Sequence, residues 1–138
     1  MADKIKRFFE CLIPVTACNL KCGYCYVIQR DNRKMEIPKL KYSPEKIGKG
    51  LTQERLGGVC YFSICGAGET LLPNYTVEIV KELLRNGHYV NITTNGTLTK
   101  RFDESLQLPN EHLKRLHFAF SFHYNELMRL ITHKKLHK

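Results

Sequence analysis

Apolar and polar positions along this chain follow two periods, one near two residues and one near 3.6, and the two exchange several times. Residues 7–15 open with Phe8, Phe9, Leu12, Ile13 and Val15, an aromatic and aliphatic run that predicts a first strand. Ser43-Pro44-Glu45 has the form of an N-cap, a proline at the first helical position and an early acid. A helix is therefore expected from there to the Gly57-Gly58 stop, with Gly48 and Gly50 as weak points inside it. Residues 59–64 read as a second strand, and Cys65-Gly-Ala-Gly-Glu-Thr as the loop at its carboxyl end. Residues 75–85 then place Val77, Ile79, Val80, Leu83 and Leu84 on a helical period and stop at Asn86-Gly87, a pair suited to a left-handed cap. A third strand follows at residues 88–94, closed by the turn-forming Asn95-Gly96. A helix is expected around residues 98–106; Pro109 interrupts the pattern, and residues 111–115 add one more turn. Residues 116–123 alternate, with Leu116, Phe118, Phe120 and Phe122 on one side and His117, Ala119, Ser121 and His123 on the other, a fourth strand with a polar end.

Strands that alternate with helices argue for an α/β fold with a parallel sheet and helical crossovers. The count is four β/α units in a single domain over residues 1–138, with no internal repeat or linker and a final helix running into the terminus. A closed eight-unit barrel takes about 250 residues, so the expectation is a partial (β/α) barrel. Residues 128–138 give no fifth strand, so the domain is expected to be incomplete at its C-terminal side, with an unpaired edge at strand four.

Composition narrows this picture modestly. With 43% hydrophobic and 25% charged residues, the 138-residue chain has the profile of one globular domain. No apolar run approaches the roughly 20 residues of a bilayer span, and Met1-Ala-Asp-Lys-Ile-Lys-Arg lacks a secretory apolar stretch; a cytoplasmic location with no membrane partner is expected. The net charge of +9 is compatible with an RNA partner. It does not indicate one, because apart from Lys39, Lys41 and the terminal His-Lys-Lys-Leu-His-Lys the basic residues are scattered.

The chemistry concentrates in Cys18-Asn-Leu-Lys-Cys22-Gly-Tyr-Cys25, three thiols in a loop directly after a strand. Soft sulfur donors suit an iron–sulfur cluster or zinc. Three ligands on a four-iron cube leave one iron open to a small molecule, whereas an electron-carrying cluster normally takes a fourth cysteine. Zinc stays open on spacing alone, with Cys11, Cys65 or a histidine as its fourth donor. Gly23 allows a tight fold around an inorganic core, and Tyr24 can shield one side of it.

Cys18-x3-Cys22-x2-Cys25 with an aromatic before the last cysteine resembles the signature of the radical S-adenosylmethionine (radical SAM) superfamily. Ala67-Gly68-Glu69-Thr70 resembles the Gly-Gly-Glu-Pro motif after that family's second strand, and Thr94-Asn95-Gly96 its Thr-Asn-Gly segment after the third. The resemblance implies the first part of a (βα)6 barrel. It also implies a [4Fe–4S] cluster on Cys18, Cys22 and Cys25, with S-adenosylmethionine chelated to the open iron and cleaved reductively to a 5′-deoxyadenosyl radical. The Tyr24 carbonyl would face the adenine, Ala67, Gly68 and Glu69 would hold the methionine ammonium, and Gly66 would adjoin them in the cofactor site. Thr94, Asn95 and Ser121 would line the cofactor, with Ser121 reaching the ribose or carboxylate. A flavodoxin or ferredoxin would supply the electron, and the substrate would be an unknown small molecule, peptide or protein. Two positions depart from the pattern. Ala67 stands for a glycine, which matters only if positive φ is needed there, and Thr70 for the proline, which is expected to loosen the turn. His123 reads as a polar strand end.

Overall fold

The computed structural model describes residues 4–136; residues 1–3, at the start of the Met1–Arg7 segment, and residues 137–138 of the basic tail lie outside the described residues. Four strands, β1 (Arg7–Ile13), β2 (Cys60–Gly66), β3 (Tyr89–Thr94) and β4 (Leu116–Phe120), form one sheet in the order β1-β2-β3-β4. All three pairings are parallel, with Arg7 opposite Cys60, Tyr61 opposite Tyr89 and Val90 opposite Leu116. The connections carry α1 (Tyr26–Gln29), α2 (Pro44–Gly50), α3 (Gln53–Leu56), α4 (Tyr75–Arg85), α5 (Thr99–Leu106) and α6 (Asn110–Leu113), and α7 (Tyr124–Leu136) follows the last strand. This is the expected α/β architecture, an open part-barrel whose sheet does not close on itself.

The core lies between one face of the sheet and the helices. Ile13, Cys60, Phe62, Ile64, Val90 and Ile92 point into it, and α4 answers with Val77, Ile79, Val80, Leu83 and Leu84, the residues its period predicts. Burying each such large aliphatic side chain contributes about 1.5–3 kcal/mol, which is why the pattern outweighs the weak propensity of Val and Ile for helix. On the other face Phe8 and Leu12 are 65% and 75% exposed, because four strands enclose no interior there. Asn86 and Gly87 end α4 as the sequence suggests, with Gly87 at a φ of 87°.

Several boundaries differ from expectation. The second strand runs on through Cys65 and Gly66, expected in the loop, because they pair with Leu12 and Ile13 of β1. The first strand stops at Ile13 rather than residue 15, since Pro14 has no N–H to offer and the Val15 N–H folds back onto the Ile13 carbonyl at 2.7 Å. The helix expected from residue 43 to the glycine pair is two helices. Ser43 caps α2 and Thr52 caps α3, while the Leu51 carbonyl between them is taken by His88 Nε2 at 2.7 Å and Asn86 Nδ2 at 3.3 Å. The last strand stops at Phe120, and the expected alternation fails beyond it: Ser121 and His123 are half-buried while Phe122 is 77% exposed.

His88 joins these parts. It is fully buried, its Nδ1 accepts the Cys60 N–H at 3.1 Å, and its Nε2 donates to Leu51, so the ring ties β2 to the break between α2 and α3. Burial pushes its pKa below the ordinary 6.5. The unfolded chain then takes up a proton that the folded chain refuses, and this contribution is complete above pH 6.5 and lost as the pH falls below it. His88→Ala is expected to cost about 2–4 kcal/mol by leaving the buried Cys60 N–H unpaired and the Leu51 carbonyl to Asn86 alone, and to flatten the decline of stability between pH 7 and about 5, both read by denaturant unfolding.

Candidate functional site

The loops at the carboxyl ends of the strands meet because two backbones approach closely. The Gly68 and Glu69 N–H groups donate to the Val15 and Ala17 carbonyls at 2.8 and 2.9 Å, extending the β1–β2 pairing into the loops. A Cβ on Gly68 would stand 2.0 Å from the Ala17 carbonyl oxygen, so no other residue fits without moving main chain. Ala67 has no positive φ, and alanine is therefore compatible with its place in the motif. Thr70 does not loosen the turn: it is buried, and its carbonyl accepts the Thr76 hydroxyl at 2.7 Å.

Glu69, 3% exposed, is a clasp rather than a free loop carboxylate. Its Oε1 accepts the Leu71 N–H at 3.2 Å and the Thr94 hydroxyl, and its Oε2 accepts the Asn95 N–H at 2.9 Å. The loop after β2 is thereby fixed to the loop after β3. Asn95 carries the connection onward, since its Nδ2 donates to Asn19 Oδ1 at 2.9 Å and lies 3.8 Å from Cys18 Sγ. Asn95-Gly96 is thus more than a turn. Ser121 sits on the wall of the same space, its N–H on the Thr94 carbonyl at 2.9 Å.

Cys18, Cys22 and Cys25 border a cavity of about 280 Å³ whose wall also includes Gly66, Ala67, Gly68, Glu69, Thr94, Asn95 and Ser121. Every cofactor residue expected from sequence is therefore brought to one place. The cysteine loop is pinned by the buried side chains of Ala17, Leu20 and Val27 and by the Cys25 N–H on the Cys22 carbonyl at 3.0 Å. Burial pushes the Cys18 thiol up, while the Leu20 N–H at 3.4 Å and the charge of Arg33 pull against it. Cys65 also borders the cavity, and all six cysteines are free thiols. The Tyr24 ring is more open than a shield would be; its hydroxyl bonds His123 Nδ1, giving that histidine a partner at the rim.

Two site residues carry no signal in the sequence. Arg33 Nη2 donates to Cys25 Sγ at 3.4 Å and Nη1 to the Leu20 carbonyl. Glu126, 6% exposed on α7, accepts the Lys21 N–H at 3.0 Å and is held by Arg129 at 2.7 Å, tying the cysteine loop to the last helix. Both depend on distant backbone that spacing does not reveal.

The donor set suits an anionic, sulfur-ligated group. N–H donors face Cys18 and Cys25, and the buried Nε of Arg33 has no partner among the described residues. Among those residues no three His, Cys, Asp or Glu side chains gather as ligands of a single ion. A cube distributes its thiolates around itself, and three cysteines bordering one cavity match that demand.

Residues 12–136 match the family described as the Radical SAM superfamily. This chain belongs to the radical SAM superfamily. Members generally use a [4Fe–4S] cluster and S-adenosylmethionine. Two curated relatives, both named "Probable GTP 3',8-cyclase" and from different strains of Methanococcus maripaludis, are 33% and 32% identical over 106 and 105 residues. Each alignment takes in 75% of this chain and 33% of the relative, so the radical SAM chain described here spans about a third of their length. No solved structure matches it significantly. No described helix is long and apolar enough to cross a membrane.

Gly68→Ala is expected to open the contact with Ala17, lowering the melting temperature by several degrees and exposing Cys18 to faster alkylation, which a timed thiol-labelling assay measures. Arg129 first, and then the Lys21 N–H, hold the Glu126 carboxyl down at about 2 against an ordinary 4.5. Its contribution is present above pH 4.5 and disappears as the pH falls through about 2. In thermal melts of the metal-free chain, Glu126→Gln is expected to be less stable than the parent at pH 6, with the gap closing towards pH 2.

Proposed function

We propose that this chain binds a [4Fe–4S] cluster through Cys18, Cys22 and Cys25, and S-adenosylmethionine beside it, for radical chemistry on a substrate. The observation that carries the reading is the meeting of three thiols with the Gly66–Glu69 and Thr94–Asn95 segments around one cavity. When bound, cluster and cofactor supply one-electron cleavage of the sulfonium carbon–sulfur bond, giving methionine and a 5′-deoxyadenosyl radical that abstracts hydrogen.

The chain's own residues hold and orient. Glu69 already receives three donors, so the methionine ammonium falls to the backbone carbonyls of Ala67 and Gly68, where missing or small side chains permit approach. Thr94, Asn95 and Ser121 offer hydroxyl and amide groups to the carboxylate and ribose, and the Tyr24 carbonyl faces the adenine. The electron comes from an external low-potential donor of the flavodoxin or ferredoxin type. The match to probable GTP 3',8-cyclases covers a third of those proteins, and the proposal extends to the cofactor chemistry alone.

Anaerobic reconstitution with iron and sulfide tests this. The reduced chain is expected to give a paramagnetic signal that changes when S-adenosylmethionine is added, and Cys18→Ser, Cys22→Ser or Cys25→Ser is expected to lose most of the iron. A metal held by four protein donors, with a spectrum indifferent to the cofactor, would overturn the assignment.

A further inference from the structure

Arg33 reaches the cysteine loop by a built path rather than by chance contact. After the single turn of α1, Asp31 adopts a left-handed φ of 53°, and the Asn32 N–H closes on the Val27 carbonyl at 2.8 Å. The residue after Arg33 is tied back to the strand exit: the Lys34 N–H donates to Thr16 Oγ1 at 2.9 Å, and that hydroxyl donates to the Lys34 carbonyl at 3.3 Å. Arg33 is thus fenced on both sides, and its guanidinium lies between the Leu20 carbonyl and Cys25 Sγ on the cavity wall.

Its partners are a carbonyl and a sulfur, so no carboxylate among these bonds offsets its charge. Cys18 by contrast receives neutral donors, the Leu20 N–H and the Asn95 amide. Bonds from charged donors are roughly twice as strong as neutral ones, and a cation close to a charge-changing group acts on it most where water is scarce.

We infer that Arg33 tunes the reduction potential of the cluster held by Cys18, Cys22 and Cys25, raising it through a fixed positive charge on the Cys25 sulfur. The inference rests on the cluster reading above. One electron from an external low-potential donor takes the cluster from its 2+ to its 1+ state, with no bond made or broken. The added negative charge is what the guanidinium stabilises. Arg33 is a positioning and tuning residue, and not a ligand.

The test is a dithionite titration followed by electron paramagnetic resonance, without S-adenosylmethionine, on the reconstituted parent chain and on Arg33→Met, Arg33→Gln and Arg33→Lys. The neutral variants are expected to keep their iron and titrate at a more negative potential, with Arg33→Lys closer to the parent because it keeps the charge. Neutral variants that hold a full cluster at the parental potential would overturn the inference. Loss of the cluster from both of them would overturn it too, by assigning Arg33 to assembly instead. Failure of the parent chain itself to form a reducible cluster would count against the cofactor reading, and is thereby distinguishable.

Discussion

Two hydrogen bonds, from the Gly68 and Glu69 N–H groups to the carbonyls of Val15 and Ala17, hold the loop after β2 against the chain leaving β1. The rest of the site is arranged around that contact. It requires a residue without Cβ at position 68, it turns the Glu69 carboxylate inward, and from there the bonds to Thr94 and Asn95 bring in the third loop. Parallel strands end on the same side of a sheet, so three loops naturally gather there. What the sheet does not supply is the distance between them, and these few polar bonds set it.

Much of this was legible from residue order. The strand and helix periods placed the four strands and α4, because those elements bury continuous apolar stripes and burial dominates their energetics. The cysteine spacing and the glycine-rich loop marked the site, since ligand chemistry and close backbone approach restrict residue type severely. Element ends were less legible where one atom decided them. Pro14 halted β1, and the Leu51 carbonyl, drawn off by His88 and Asn86, divided the expected long helix. Arg33 and Glu126 were hidden for a related reason: each acts on backbone groups of the cysteine loop, 13 and 105 positions away respectively, and an isolated charged residue looks like any other surface charge.

The two faces of the sheet differ sharply. Beneath the helices lie Phe62, Ile64, Val90 and Ile92, while the opposite side presents Phe8 stacked on Tyr61, and a polar row of Glu10, Ser63, Asn91 and His117 in register across all four strands. Helix packing specifies the first face almost completely. The second is free to vary without loss of core, which separates the part of the domain that maintains shape from the part that can meet other molecules.

Because each strand joins the sheet beside the one made just before it, the ribosome delivers the domain in spatial order from one edge. The cysteine loop emerges early, yet Gly68 and Asn95, which wall it in, are translated much later. Nascent thiols at positions 18, 22 and 25 therefore wait without their cradle until the chain has grown past residue 95.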